Sequence, residues 1–509
     1  MIIVKKINGT NLGFEETLWK AADKLRSNLD ASQYKHVILG LIFLKYLSDI
    51  FNEKYIDLEN KGKNPKNESQ YSKAKIFWVP TKSRWNFLLT KKTKPEIGKI
   101  INNAIIAIEK ENTQLKNILP KIFSNPDLDQ KRLGELIELI GSIELRGKQN
   151  HSRDILGRVY EYFLGQFANA EGKKGGQFYT PSSIVRLLVS MIEPYNGTVY
   201  DPCCGSGGMF VQSEKFVESH GGNKDDILIF GQESNPTTWR LGKMNLGIRR
   251  INEDIGKKPA DSFQEDLHKH LKADFILANP PFNSSDWRTN DLANDKRWKF
   301  GIPPNQNANF AWIQHFIHHL SPSGIAGFVL ANGSLSSNIA NEGEIRRKII
   351  ENDLVDCIIS LPTQLFYSTA IAACLWFIAA DKSDKKYRTR TGETLFIEAK
   401  NFGVLVDKTH RELLQDEIQK ISETYHSWKN KNPVKKYKNI IGFCQTATIE
   451  NIKNHKYVLV PGRYTGCEPY KNMKIPSDTQ KFYSQIISKR FSRIKEIEGM
   501  LLSSMGQFS

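Results

Sequence analysis

The feature that most constrains the fold is a series of short apolar runs, each ending in Asp, Glu, Asn or Pro. The runs are GTVYDPCCGSGG, ILIFGQESNP, ADFILANPP, GIAGFVLANGS, LVDCIISLP and ACLWFIAA. Stretches with helical periodicity separate them, and this alternation predicts βαβ units in an α/β domain whose mostly parallel sheet has helices on both faces. Ligands bind at the carboxyl ends of the strands in such sheets, where these polar endings cluster.

The residues on either side of this region have a different character. Residues 1–153 contain apolar residues at three- and four-residue spacing, which predicts an all-α N-terminal domain. Residues 401–509 are polar and basic and end in TQKFYSQIISKRFSRIKEIEGMLLSSM, which predicts a helical C-terminal tail. We therefore expect a helical domain over 1–153, an α/β domain over 154–400 and a C-terminal region over 401–509.

Composition adds limits on location and partners. The net charge of +17 favours a polyanion such as nucleic acid, although a Lys-rich and Asn-rich composition also arises from genome bias. We find neither an apolar run of 18 residues nor a signal peptide, so we expect no membrane contact and a cytoplasmic protein. The six scattered cysteines show no CxxC pair, which favours reduced thiols over a zinc site or disulfides.

The first candidate site is the glycine turn that follows Asp201. Gly205, Ser206, Gly207 and Gly208 allow the backbone to approach a ligand closely before the next helix begins. Dinucleotide, nucleotide and S-adenosylmethionine (AdoMet) enzymes all use such turns. The spacing matches neither a P-loop nor the G-x-G-x-x-G of NAD-binding proteins, and an ordinary strand–helix turn is the alternative.

Two further segments fit a nucleoside cofactor. Glu233 ends the next strand, where an acidic residue can accept both ribose hydroxyls of an adenosine. Ahead of the sheet, GGQFYTP places Thr180 at the N-cap of a helix and Pro181 in its first turn, from which this segment could fold over a cofactor. Each segment alone is equally consistent with a solvated strand end or a plain helix entry.

The segment ADFILANPPFN carries the most specific chemistry. Asn279 offers a side-chain carbonyl, Pro280 a backbone carbonyl in a fixed conformation, and Phe282 a ring for stacking. Two fixed acceptors can take both hydrogens of an exocyclic amine and free its conjugated lone pair to attack a sulfonium methyl. On its own the motif permits adenine, cytosine, an RNA base or glutamine as the methyl acceptor.

In that order, GGQFYTP, DPCCGSGG and NPPF resemble the AdoMet-dependent DNA amino-methyltransferases of the gamma arrangement. More narrowly, the chain resembles the modification (M) subunit of type I restriction-modification systems. The resemblance covers nearly the whole chain and includes LRSNLDASQYKHVILGLIFLKYLSD, NANFAWIQHF, SLPTQLFYSTAIAACLWFI and VLVPGRYTG. It implies a Rossmann-like methyltransferase domain.

The resemblance also implies residue roles. The segment that holds the target base would be Asn279, Pro280, Pro281 and Phe282, with Phe366 or Tyr367 stacking on the other face of the base. AdoMet would be bound by Gln177, Phe178, Tyr179, Thr180, Pro181, Ser182, Asp201, Ser206, Gly207, Gly208, Glu233 and Asp261. One departure is Ala372, where the family pattern has proline, and it puts the shape of that loop in doubt.

Partners also follow from the resemblance. The implied activity is methylation of the N6 amine of a flipped adenine in double-stranded DNA, at a sequence selected by a separate specificity (S) subunit. Two M subunits typically join one S subunit, and a restriction (R) motor-nuclease subunit can join them. N4-cytosine methylation and a non-catalytic AdoMet-binding scaffold are the alternatives.

A histidine cluster and a cysteine pair resemble functional sites, but we expect both to be structural. His315, His318 and His319 have the spacing of a metal-binding helix face, but we expect a polar helix flank and no metal, since no acid or cysteine nearby completes a ligand set. Cys203 and Cys204 flank the glycine turn, and we expect small packing residues there and not a reactive nucleophile.

Overall fold

The computed structural model describes residues 31–142, 159–167, 180–366, 371–406 and 410–466, together with Trp19, Asp23, Ser488 and Ser492. The chain divides into two compact units, Met1–Thr465, which contains the sheet and its helices, and Gly466–Ser509. The predicted helical tail lies outside the described residues. Within the described ranges, no helix is both long and apolar enough to cross a lipid bilayer.

The N-terminal region is helical, as predicted. Its helices are α1 (Ala31–Asn60), α2 (Ser69–Lys73), α3 (Trp85–Lys91), α4 (Ile97–Glu111) and α5 (Gln130–Gly141). The amphipathic α4 buries Ile97, Ile101, Ala104, Ile105 and Ile108 at the spacing of one helix face. Asp129 caps α5, because its carboxylate accepts hydrogen bonds from two backbone N–H groups of the first turn.

A single large sheet forms the α/β domain. Its strands in chain order are β1 (Gly197–Asp201), β2 (Ile227–Gly231), β3 (Glu253–Asp254), β4 (Ala273–Ala278), β5 (Leu320–Ala331), β6 (Val355–Ser360), β7 (Ala373–Ala379), β8 (Glu393–Glu398) and β11 (Cys444–Thr448). The spatial order is β11-β8-β6-β7-β5-β4-β1-β2-β3. A separate antiparallel pair joins β9 (Val404–Leu405) to β10 (Arg411–Glu412).

Most neighbouring strands are parallel, which confirms the predicted α/β class. The strands β3, β2, β1, β4 and β5 lie side by side in this spatial order, and each pairs in parallel with the next. The strands β6 and β8 also pair in parallel. In contrast, β7 runs antiparallel between β5 and β6, and β11 runs antiparallel to β8 at the sheet edge. Because β11 follows residue 400, the C-terminal region also contributes to the sheet. The domain boundaries stay predictions.

Helices cover both faces of the sheet. These helices are α6 (Ser182–Ile192), α7 (Gly208–Ser219), α8 (Pro236–Arg249), α9 (Asn309–His319), α10 (Glu342–Glu351), α11 (Gln415–Lys429), α12 (Ile449–Asn454) and α13 (Gly462–Thr465). Alternate residues of β4 enter two different cores, since Phe275 and Leu277 join one and Ile276 and Ala278 join the other. A strand buried on both faces contains a continuous apolar run, here FILA from Phe275 to Ala278.

Candidate active site

The carboxyl ends of three neighbouring strands meet at one cleft. Asp201 ends β1, Glu233 lies two residues beyond β2, and Asn279 directly follows β4. Because β1 lies between β2 and β4, these polar residues reach the same edge of the sheet. The cleft has a volume of about 340 Å³ and is lined in part by Gly205, Glu233, Asp261, Phe263, Asn279 and Pro281.

The glycine turn forms one wall of the cleft. Gly207 is the N-cap of α7 and has a φ of 78°, and Gly205 has a φ of 55°, a backbone region that L residues rarely adopt. A Cβ at Gly205 would meet no atom within 4 Å, so no side chain covers this backbone on the side of the cleft. At Gly207 a Cβ would come within 3.1 Å of Leu246, so glycine there also permits close packing of α8.

Glu233 ties this turn to the next strand. Its Oε2 accepts a hydrogen bond from the Gly205 N–H at 3.1 Å, and its Oε1 accepts one from the Asn235 N–H at 2.7 Å. Burial raises the pKa of the Glu233 carboxyl. The carboxylate therefore lies within the cleft in one orientation, with both oxygens already positioned by backbone donors.

Asp201 lies behind the turn and is almost fully buried. Its Oδ1 accepts hydrogen bonds from the Cys203 N–H at 3.0 Å and from the Cys203 thiol at 3.4 Å. Burial raises the pKa of the Asp201 carboxyl to about 7. Burial also raises the pKa values of the Cys203 and Cys204 thiols, which fits packing residues better than nucleophiles.

A polar loop and an aromatic cluster form the opposite wall. The exposed Asp261 accepts hydrogen bonds from the N–H groups of Phe263 and Gln264 at 2.8 and 3.0 Å. Phe263 packs against Trp312 and Trp287, with ring centroids 4.3 and 4.8 Å apart. The wall thus combines a carboxylate with flat apolar surface.

Arg297 supports this wall from behind, a role that we did not predict. Its guanidinium donates to the carbonyls of Ser262 and Phe263, both at 2.7 Å, and pairs with Asp295 at 2.7 Å. Gln232, which is fully buried, donates to the backbone carbonyls of Ala260 and Glu265 on the same loop. Arg297 and Ser262 are 35 positions apart, so no local sequence pattern could have indicated this contact.

The histidine prediction is wrong in two respects. His315 and His319 are fully buried, and only His318 stays partly exposed, so they do not form a polar helix flank. An acid does lie nearby, because ligand atoms of Asp266, His315 and His319 fall within 4.8 Å of one another. Asp266 was missed because it precedes α9 by more than 40 residues.

The ring nitrogens of His315 and His319 nevertheless form hydrogen bonds within the protein. Arg297 can only donate, so the His315 Nδ1 facing it at 3.1 Å must accept, and the ring proton lies on Nε2 toward the Tyr200 hydroxyl. His319 faces a backbone carbonyl with Nδ1 and the Asp266 carboxylate with Nε2, both at 3.0 Å, so each ring nitrogen already has a hydrogen-bond partner. Both nitrogens of His315 and of His319 therefore face hydrogen-bond partners within the protein.

Asn279 is held with its amide in a defined orientation. Its Nδ2 donates to the Thr180 hydroxyl at 2.8 Å. Its Oδ1 is buried and, among the described residues, accepts no hydrogen bond. Pro280 is buried and Pro281 lines the cleft, so an unused carbonyl oxygen and a rigid turn lie side by side.

The ring that follows the prolines adjoins a second ring. Phe282 and Phe366 contact edge to face, with centroids 5.4 Å apart and planes at 80°. Beyond them, Asn283 has a φ of 52° and forms two hydrogen bonds with the buried Asn309, at 2.8 and 3.1 Å. Asn309 thus holds the end of the loop. It was not predicted as a site residue, although it belongs to the quoted NANF segment.

With this geometry in place, comparison with known proteins identifies the family. Residues 151–473 match the N-6 DNA Methylase family, and residues 14–140 match the HsdM N-terminal domain. The chain is 45% identical over 418 residues to the type I restriction enzyme HindI methylase subunit of Haemophilus influenzae, covering 81% of this chain and 92% of that protein. It belongs to the methylase subunits of type I restriction enzymes.

Another relative supports the family assignment, and a solved structure has the same fold. The MjaIX methylase subunit of Methanocaldococcus jannaschii is 39% identical over 500 residues, covering 94% of this chain and 88% of the relative. The type I methyltransferase subunit from Streptococcus thermophilus has the same fold, with a TM-score of 0.75 at 24% identity over 90% of this chain and all of that one. This methylase subunit is therefore a DNA methyltransferase of the N6 family.

The structure places the remaining predicted residues of this methylase subunit as follows. The predicted N-cap was one residue early, because the buried Pro181, and not Thr180, is the N-cap of α6 and the exposed Ser182 is its first residue. The Ser206 carbonyl accepts a hydrogen bond from Asn245 at 2.8 Å, and Gly208 is the first residue of α7. Four predicted residues, Gln177, Phe178, Tyr179 and Tyr367, lie outside the described residues.

Proposed function

We propose that this methylase subunit transfers the methyl group of AdoMet to the N6 amine of an adenine that is flipped out of a specific double-stranded DNA sequence. One observation carries the proposal: Asn279 Oδ1 is buried beside the cleft and accepts no hydrogen bond among the described residues. A buried unused acceptor costs free energy unless a ligand donor completes it. An exocyclic amine is such a donor.

The residues of the cleft fit AdoMet. Gly205 is bare toward the cleft, Glu233 presents a carboxylate for the ribose hydroxyls, and the Asp261–Phe263 loop offers an acid beside a flat aromatic wall for the adenine. Ser206, Gly207 and Gly208 would cradle the amino-acid portion, together with the segment from Gln177 to Ser182. AdoMet supplies an electrophilic methyl group on a sulfonium.

The remaining residues would act on the base. Asn279 Oδ1 and the Pro280 carbonyl would accept the two amine hydrogens and draw the nitrogen toward tetrahedral geometry. That change frees its lone pair for attack, and the amine proton leaves after transfer. Phe282 would stack on the flipped base, with Phe366 or Tyr367 on the other face. Asp201 would keep the glycine turn in place.

The proposal includes an assembly. A net charge of +17 suits a DNA partner, and an S subunit would select the sequence for two copies of this chain in the cytoplasm. An R subunit could join them for restriction. The family assignment and the relatives' description as methylase subunits of type I restriction enzymes support this arrangement.

The test is to express the chain together with a candidate S subunit from the same genome, in cells that lack DNA methylation. Mass spectrometry of the nucleosides and modification mapping should then find N6-methyladenine at one recurring sequence. N4-methylcytosine would overturn the adenine assignment, and no methylated base would support a non-catalytic scaffold. Asn279→Ala should abolish the modification while AdoMet binding survives, and Asn352→Ala, at an exposed helix end, serves as the matched control.

A further inference from the structure

Two adjacent residues at the end of β2 hold opposite walls of the cleft. The Glu233 carboxylate accepts the Gly205 N–H of the glycine turn at 3.1 Å. Its neighbour Gln232 is fully buried, and the amide of its side chain contacts the loop of residues 260–267 instead. The glycine turn and this loop are therefore positioned relative to each other by one dipeptide.

The Gln232 amide closes the loop by binding both of its ends. Its Nε2 donates to the carbonyls of Ala260 and Glu265 at 3.0 and 2.7 Å. Its Oε1 accepts the Leu267 N–H at 3.0 Å. Both N–H groups and the carbonyl oxygen of one side chain are thus used on a single loop, and a primary amide is the group that offers two donors beside an acceptor.

The residues between these two ends line the cleft, and they are Asp261, Ser262 and Phe263. Asp261 directly follows Ala260, whose carbonyl accepts from Gln232 and whose N–H donates to the Glu233 carbonyl at 3.0 Å. The peptide groups on either side of Ala260 are therefore fixed. The position of the next residue, and with it the direction of the Asp261 carboxylate, depends on these bonds.

We propose that Gln232 is the positioning residue that makes the cofactor site select adenine, because it holds Asp261 where a carboxylate can accept the amine of the adenine. This inference rests on the proposed function. A carboxylate only accepts hydrogen bonds, so it attracts an amino group and repels a carbonyl oxygen at the same place. Hypoxanthine carries an oxygen where adenine carries its amine. The position of Asp261 therefore decides between the two bases, and Gln232 acts without touching the cofactor.

Substitution of Gln232 by methionine should displace one wall and leave the other in place. Two buried loop carbonyls lose their donors, so the loop has to shift for them to reach water. The main chain of residue 232 keeps both of its hydrogen bonds to the turn after β1, which join its N–H to the Asp201 carbonyl and its carbonyl to the Cys204 N–H. We therefore expect a loss in recognition of the base and not of the ribose.

The experiment compares two ligands by calorimetry on the full-length chain. S-adenosylhomocysteine carries adenine, and S-inosylhomocysteine differs from it only in carrying hypoxanthine. Wild type should bind the adenosyl ligand about 10- to 100-fold more tightly, as expected for a hydrogen bond to a charged group. Gln232→Met should reduce this preference to about threefold or less through weaker binding of the adenosyl ligand. Gln232→Glu, which keeps the shape but has at most one donor, should give an intermediate preference.

Gln130→Met is the matched control. The Gln130 amide also donates to two backbone carbonyls, those of Phe123 and Leu128, and accepts one backbone N–H, that of Gly98. It lies at the start of α5 in the N-terminal helical region and not at the cleft. Its substitution removes the same three kinds of hydrogen bond and should leave the preference for adenine unchanged.

A double substitution tests whether Gln232 acts through Asp261. Asp261→Ala should by itself abolish the preference for the adenosyl ligand. Adding Gln232→Met to Asp261→Ala should then change the preference no further, because the group that Gln232 positions is already absent. A further loss of preference in the double variant would overturn the proposal.

The two proposals fail differently. If wild type binds neither ligand, the proposed cofactor is wrong, and this inference is wrong with it. If wild type prefers the adenosyl ligand but Gln232→Met keeps that preference, or loses affinity for both ligands equally, only the positioning proposal is wrong. Thermal unfolding and circular dichroism establish that each variant is folded, and Gln232→Glu decides the outcome if Gln232→Met does not fold.

Discussion

The Gly205 N–H donates to Glu233 Oε2 at 3.1 Å, which joins the turn after β1 to the end of β2. The same carboxylate accepts the Asn235 N–H through its other oxygen, so its position is set before any ligand binds. Glu233 therefore shapes the glycine turn, and in the proposed function it would also present acceptor lone pairs to the ribose hydroxyls of the cofactor.

We expect Glu233→Ala to weaken AdoMet binding by about 10- to 100-fold, because charge-assisted hydrogen bonds to two hydroxyls are lost. Glu233→Gln should cause a smaller loss, since the amide keeps one carbonyl acceptor. Equilibrium dialysis with labelled AdoMet measures both. Glu218→Ala, at an exposed position on α7, is the control. Unchanged affinity in Glu233→Ala would remove Glu233 from the cofactor site.

Asp201 predicts a pH dependence of stability. Burial raises its pKa from 3.8 to about 7, so between these values the folded chain holds a proton that the unfolded chain has released. The folded state then binds more protons, and the free energy of unfolding falls as pH rises from about 4 to about 7. Asp201→Asn keeps an acceptor for the Cys203 N–H but cannot ionise.

The loss of melting temperature between pH 5 and pH 8 should therefore be smaller in Asp201→Asn than in wild type. Thermal unfolding followed by circular dichroism at the two pH values measures it. Glu214, whose pKa burial also raises to about 7, contributes equally to both proteins and cancels in the comparison. Identical pH profiles would show that Asp201 is ionised in the folded chain.

We expect substitution of Asn309 to lower the methylation rate without changing the affinity for AdoMet. Asn309→Leu removes both hydrogen bonds to Asn283 and should lower the methylation rate about 10- to 100-fold, because a small misplacement of the loop after the two prolines misaligns the acceptors. AdoMet affinity should stay within twofold. A single-turnover methylation assay and dialysis make the two measurements, and a proportional loss of cofactor affinity would argue for general damage to the fold.

Arg297 predicts a large effect on stability. Arg297→Met leaves Asp295 and the carbonyls of Ser262 and Phe263 without their donor in a buried environment, which should cost about 3 kcal/mol of unfolding free energy. Urea denaturation measures the change. The control is Arg347→Met, since Arg347 forms exposed ion pairs on α10 and its loss should leave stability nearly unchanged. Equal effects of the two substitutions would contradict the supporting role.

Part of this organisation was already present in the sequence. Apolar runs ending in Asp201, Glu233 and Asn279 predicted the sheet, and parallel pairing brings the carboxyl ends of such strands to one edge, so the meeting of these three residues followed from the pattern. The order of the GGQFYTP, DPCCGSGG and NPPF motifs was sufficient to indicate the family. Local periodicity and short motifs are properties that a linear sequence retains.

The tertiary structure decided what depends on distant partners. It buried His315 and His319 beside Asp266, placed Arg297 behind the Phe263 loop, and paired Asn309 with Asn283. These contacts join residues that are 26 to 53 positions apart, so no local pattern records them. Burial also decided the raised pKa of Asp201, because desolvation depends on the packed surroundings of a carboxyl and not on its neighbours in sequence.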